Sequence, residues 1–293
     1  MQLLLFLIVY PLILFVSLLP FRILYLLSDM VCFLIFHVAR YRRKVVSENI
    51  ALALPHLSKG ERSIIEKKAY QHMCDMFLEM MKTMSISRKE MDKRFVFKNL
   101  DTYLNFEKQN KSVAMMLAHY ASYEWAIIMN TKIKYDGYGI YKQVNNVYFD
   151  RLVRSIRSKF NTHLIHTRDS SNVIDQNALN GKKAVYGFVS DQSPLVKPKT
   201  YWGTFMGIDV PVYTGVEYFS KKYDMAVVYL KVSKVKRGYY EAEYVVLAEK
   251  TEGISNYDIT DSFLRNVEAQ ILAAPEFYLW THRRWKHKDR KPS

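Results

Sequence analysis

The sequence predicts an α/β fold, a sheet with helices on its faces, held to a membrane by an apolar N-terminal segment. Three observations carry this: no charged residue between Met1 and Phe21, a long amphipathic helix after Ser58, and short apolar runs alternating with helical segments from Ser112 onward. Alternation of that kind builds a sheet whose chemistry lies beyond the carboxyl ends of its strands.

Taken in order, the stretch from Leu3 to Leu19 is long enough to cross about 30 Å of hydrocarbon as a helix. Nothing basic precedes it and no Ala-x-Ala site follows, so an uncleaved anchor is expected rather than a signal peptide. A second apolar run, Ile23 to Ala39, is interrupted by Asp29 and His37. It fits a second span, an interfacial helix or a helix packed on the domain, and the last two are preferred. Arg40, Arg42, Arg43 and Lys44 follow, which by the positive-inside tendency puts the rest of the chain in the cytoplasm beside anionic headgroups. Residues 1–44 thus read as an anchor and 45–293 as one cytoplasmic domain.

Ser58-Lys-Gly-Glu61 has capping-box spacing, and Ile65, Ala69, Met73, Met76, Phe77 and Met80 recur at helical intervals, predicting a helix to about Met84. Strands are expected at Val113–Leu117, Tyr138–Tyr141, His163–Ile165, Ala184–Val189 and Met225–Val232. Helices are expected at Asn146–Phe160, Gly215–Tyr223 and Tyr257–Ala273.

Of the 293 residues, 49% are hydrophobic and 24% charged, the balance of a folded chain rather than a disordered one. Lys and Arg number 43 against 28 Asp and Glu, a net +15 that favours phosphate- or carboxylate-bearing partners. Two cysteines, Cys32 and Cys74, leave no disulfide framework and no thiolate metal cluster.

Chemistry is best placed where the first strand of the sheet delivers His119, with Ser122 able to cap a helix whose first turn holds Glu124. Five residues apart on one helix, the two side chains would be rotated by about 140° and would not meet. With His119 in the loop they can, the carboxylate fixing one ring nitrogen while the other accepts a hydroxyl proton. Taken alone, such a pair is more commonly a satisfied structural histidine, and the strand before it and the helix after it favour the functional reading. Other chemistries have less support. There is no Gly-x-Ser-x-Gly elbow, Gly137-x-Gly139 lacks the third glycine of a dinucleotide loop, and His163 and His166 have no ligand pattern, so neither cofactor nor metal is expected. Arg151, Arg154 and Arg157, three residues apart, predict one positive face for phosphates or an acidic carrier protein. The segment Trp280–Lys286 mixes indoles with cations, which suits a membrane interface. A non-catalytic membrane- or nucleic-acid-binding role would rest on that charge alone, and no nucleic-acid motif accompanies it.

Five features together resemble the late acyltransferases of lipid A biosynthesis: the apolar N-terminus; Arg43–Pro55 with Ser47-Glu-Asn49-Ile-Ala-Leu-Ala-Leu-Pro55; His119-x4-Glu124; Asp191-Gln192 after a strand; and Pro275-Glu-Phe-Tyr-Leu-Trp280-Thr-His-Arg283-Arg284-Trp285. The resemblance implies a glycerolipid-acyltransferase-like mixed sheet flanked by helices, one N-terminal transmembrane helix, and an inner-membrane enzyme facing the cytoplasm. It also implies an acyl-acyl carrier protein donor and a glycolipid hydroxyl as acceptor. His119 would be the general base and Glu124 its orienting partner, with Asp191, Gln192, Arg283 and Arg284 shaping the site. Two departures bear on substrate detail. Lys142 stands where the family commonly has arginine, which removes a bidentate fork, and Tyr120-Ala121-Ser122 stands where Phe-Gly-Asn is usual.

Overall fold

The computed structural model describes residues 2–291. Among these residues nine strands form: β1 (Phe95–Phe97), β2 (Val113–Leu117), β3 (Asp136–Tyr141), β4 (Thr162–His166), β5 (Ala184–Val189), β6 (Trp202–Phe205), β7 (Ile208–Pro211), β8 (Ala226–Lys236) and β9 (Tyr239–Ala248). Seven make one mixed sheet in the order β1-β9-β8-β2-β5-β3-β4, and β6 and β7 make a separate ribbon. Within the large sheet the neighbours run parallel except at the antiparallel β8–β9 hairpin. The fold class is the one expected.

The centre of the sheet explains its sequence. Strand β2 reads Val-Ala-Met-Met-Leu without alternation because helices cover both faces, and all five residues are buried. Farther out, β9 alternates: Tyr240, Ala242 and Tyr244 are buried while Glu243 is exposed. Its turn depends on Gly238 at φ 76, a conformation that only glycine adopts without cost. The β6–β7 turn likewise uses Met206 and Gly207 at φ 53 and 76, the pair of positive angles a two-residue hairpin needs.

Among the helices, Lys59–Lys82 begins at the expected capping box, Ser58 Oγ accepting from Glu61 and Glu61 from the Ser58 N–H. Gly215–Tyr223 has the expected bounds, and Val147–Ser158 and Asp258–Ala273 lie within a few residues of theirs.

The anchor region differs from expectation. The first apolar helix, Gln2–Leu18, has 17 residues and is about 25 Å long, short of a hydrocarbon core. Among the described residues, the helix with the length and composition of a span is the second one, Phe21–Ala39, with mean hydropathy 1.8. Its Asp29 is not a stray charge. Arg237 from the β8–β9 turn bonds Asp29 Oδ1 at 2.5 Å and Asp75 Oδ1 at 2.7 Å, and Ser28 donates to the same Asp75 oxygen at 2.7 Å. Lys82 Nζ holds the carbonyls of Ser17 and Leu19 at 2.8 Å each, and Phe6 lies against the rings of Tyr148 and Phe149. Both helices are therefore fixed to the domain, as the packed alternative for Ile23–Ala39 required, while Leu4, Leu7, Ile8, Leu12, Phe15 and Leu26 remain exposed.

Candidate active site

Strand register builds the site. Leu117 of β2 is paired with Val189 of β5. Two residues beyond each lie His119 and Asp191, side by side at the carboxyl edge of adjacent parallel strands. Asp191 Oδ1 accepts from the His119 backbone N–H at 3.1 Å and lies 2.7 Å from His119 Nδ1. The Asp191 side chain is 1% exposed and that of His119 18% exposed. Burial alone would push the Asp191 carboxyl up, but the His119 ring and nearby backbone N–H groups outweigh it and hold the carboxyl below its ordinary range. As a carboxylate it can only accept at this contact, which favours the ring tautomer with the proton on Nδ1 and the Nε2 lone pair free.

The turn carrying His119 is held open by the C-terminal segment. Ala121 has φ 49, left-handed for a residue with a Cβ, at a cost of about 1–2 kcal/mol. That cost is offset by a short antiparallel bridge: Tyr120 pairs with Tyr278, Ala121 N–H donates to Phe277 O at 2.9 Å, and Leu279 N–H donates to His119 O at 3.0 Å. Tyr123 packs its ring edge-on to the His119 imidazole at 4.9 Å, and burial raises its phenol well above the usual range. Ser122 is not the side-chain cap expected of it. The following segment, Tyr123–Thr131, is a 3₁₀ helix, and its first turn is closed by the backbone bond from Trp125 N–H to Ser122 O.

The expected His119–Glu124 hydrogen bond is not made among the described residues. Glu124 instead accepts from Arg157 in a two-pronged ion pair, with Arg157 Nε 2.9 Å from Glu124 Oε2 and Nη2 on Oε1. The reason is geometric: the register puts Asp191 closer to the imidazole than the helical turn brings Glu124. The Arg151-Arg154-Arg157 face is also divided. Steps of three residues fall about 60° short of a full turn each, so Arg157 turns inward to Glu124 while Arg151 and Arg154 stay exposed. The Glu124 and Arg157 side chains are 10% and 26% exposed, and removing one partner would strand the other's charge. Arg157→Ala is expected to lower the unfolding free energy by about 3 kcal/mol, and Arg157→Lys by less, as read by urea or thermal unfolding.

His119, Glu124 and Arg157 stand at the head of a cavity of about 600 Å³, walled by apolar side chains that include Met115, Leu117, Ile127, Leu164 and Phe188. Gln192 and Lys142 also line it, Lys142 at its boundary with a smaller cavity of about 350 Å³ that holds His166 and Arg168. The C-terminal arginines do not reach this space. Arg283 is exposed at the surface. Arg284 is fully buried, donates through Nη1 to Pro211 O at 3.0 Å and to Ser193 Oγ at 3.2 Å, and receives Ser193 Oγ–H on its own carbonyl at 2.6 Å. Through Ser193 it braces the loop that carries Asp191 and Gln192. His282 joins that brace, its Nε2 3.4 Å from the Ser193 N–H, and burial lowers it to about 4.

Sequence reasoning from the residues alone did not find Arg157 as the partner of Glu124, nor Tyr123 and His282 as neighbours of the pair. The arrangement couples a polarised imidazole to an apolar cavity, which suits proton removal from a hydroxyl beside a long hydrocarbon chain.

A search of curated proteins returned no match. The family model described as bacterial lipid A biosynthesis acyltransferase matches residues 2–287, almost the whole of the chain. On that match, the chain belongs to the bacterial lipid A biosynthesis acyltransferase family.

Proposed function

We propose that this protein moves a fatty acyl chain from the thioester of acyl-acyl carrier protein to a hydroxyl of a lipid A precursor. His119 Nε2 removes the hydroxyl proton as the oxygen attacks the thioester carbonyl. The new C–O bond forms, the C–S bond breaks, and the imidazolium returns the proton to the departing thiolate. Asp191 keeps the ring in the Nδ1–H tautomer and offsets its positive charge during the reaction. Supporting this reading above all is His119, backed by a buried carboxylate 2.7 Å away, at the head of an apolar cavity.

Lys142 and Arg168, beside the cavity mouth, offer charge for a phosphate or an acidic carrier. The apolar N-terminal helices, followed by Arg40, Arg42, Arg43 and Lys44, support residence at the cell inner membrane with the domain on the cytoplasmic side.

The test is acyl transfer by the full chain in membranes, from labelled acyl carrier protein thioester to lipid extracts, read by lipid mass spectrometry. The reading predicts that a lipid A precursor gains one acyl chain. Gain instead by another glycolipid, an aminolipid or a phospholipid would reject the acceptor while keeping the reaction.

A further inference from the structure

Gly187 of β5 and Gly139 of β3 stand side by side in a row, Met115–Gly187–Gly139–Leu164, that crosses four neighbouring strands. All four residues line the cavity. Glycine inside a strand costs about 0.5–1 kcal/mol relative to alanine, so two adjacent glycines at the middle of a sheet need a reason. Backbone conformation does not supply it, since neither has a positive φ. Crowding does not supply it at Gly187, where an added Cβ would meet Tyr138 O at 3.6 Å, Met115 Cε at 3.7 Å and Leu117 Cδ1 at 3.8 Å, all ordinary contacts. At Gly139 the fit is tighter, with Leu164 Cδ2 at 3.3 Å and Thr162 Cγ2 at 3.4 Å.

Gly137, two residues before Gly139, is the contrasting case. A Cβ there would overlap the Asn130 side-chain amide. Asn130 fills that space and donates to Thr162 Oγ1 at 2.6 Å, so a polar pair closes the inner end of the cavity. The space over Gly137 is taken by Asn130 and that over Gly139 is narrowed by Leu164 and Thr162, which leaves the notch open chiefly at Gly187.

We propose that the Gly187–Gly139 notch, with Asn130 and Thr162 as its end stop, sets the length of acyl chain the protein accepts. The inference rests on the acyl-transfer reading above and adds to it the residues that measure the chain. The register gives the scale. Gly137, Val185 and Thr162 lie level with Val113, six residues of extended chain below His119, or about 20 Å. The notch is level with Met115, four residues below His119, or about 13 Å. A side chain at Gly187 would fill the floor roughly 7 Å before the end stop, and the tail of a long acyl chain would meet it first.

The experiment is a competition among saturated acyl carrier protein thioesters of stepped chain length, using the full-length protein in detergent, with products counted by mass spectrometry. Displacement of a fluorescent fatty acid by free fatty acids of the same lengths is measured in parallel, so that chain preference is read without transfer. Gly187→Leu is expected to shift the long-to-short ratio toward shorter chains by roughly tenfold or more. Gly187→Ala should shift it the same way by less, and Asn130→Ala should shift it toward longer chains. An unchanged ratio in both assays for Gly187→Ala and Gly187→Leu, or an equal loss of all lengths by a folded variant, overturns the proposal. If the wild-type protein transfers no acyl chain, the reaction is rejected, while the displacement series still decides whether the notch measures chain length.

Discussion

Replacing His119 with alanine is expected to slow acyl transfer by about two to four powers of ten in a protein that still folds. The imidazole lies at the cavity head rather than in the core, and its backbone N–H to Asp191 survives the substitution. On the proposed mechanism, what is lost is the nitrogen that accepts the hydroxyl proton. His119→Gln keeps a polar side chain of similar size without supplying a base, so it separates chemistry from folding. Equal loss of activity in the two variants, with the unfolding midpoint of the glutamine form near that of wild type, is the outcome expected from initial rates and thermal unfolding. Transfer at the wild-type rate by either variant would remove His119 from the mechanism.

The second large effect is at Asp191. Asparagine is nearly the same size, but its amide can donate to Nδ1 and so place the ring proton on Nε2, where it blocks the base. In comparable His–Asp arrangements that exchange costs about four powers of ten in kcat. Asp191→Asn is therefore expected to behave like His119→Ala in initial-rate measurements. Glu124→Gln touches Arg157, not the imidazole, so its effect should appear first in stability, through a weakened ion pair. The order of the two carboxylates in kcat, with Asp191 ahead of Glu124, distinguishes this geometry from one built on the sequence-adjacent pair.

The position of His119 was legible because it follows an unbroken apolar strand, and the carboxyl ends of strands are where such sheets place chemistry. Its partner was not legible from spacing. Asp191 is 72 residues away, and only the adjacency of β2 and β5, with Leu117 level with Val189, brings the two together. Sequence proximity pointed to Glu124 instead. The resemblance to the acyltransferase family drew attention to Asp191 without giving its role. It also drew attention to Arg284, whose burial beneath the Asp191 loop is a packing fact that no motif displays.

The same contrast holds for the fold. Strand β2, buried along its whole length, and β5, buried over its first half, read as plain apolar runs and have the bounds expected of them. Strand β9 was not, because Glu241 and Glu243 alternate with tyrosines and dilute the apolar signal; the Gly238 turn before it was the available sign. The β6–β7 ribbon escaped because its strands are four residues each and its turn opens with methionine rather than asparagine or aspartate. In the N-terminal region, charge count pointed to an apolar segment but not to which helix has the length to span. That depended on where the chain breaks near Pro20, while Asp29, which interrupts the apolar run, is met by Arg237.

The tautomer of His119 tests the central claim most directly. In ¹⁵N-histidine-labelled protein in detergent at neutral pH, with the resonance assigned by its absence from His119→Gln, long-range ¹⁵N–¹H correlation reports which ring nitrogen carries the proton. The account predicts a proton on Nδ1 and a bare Nε2 in the wild type, unchanged by Glu124→Gln and displaced to Nε2 by Asp191→Asn. A wild-type ring protonated on Nε2 alone, or one that responds to Glu124→Gln and not to Asp191→Asn, would contradict it.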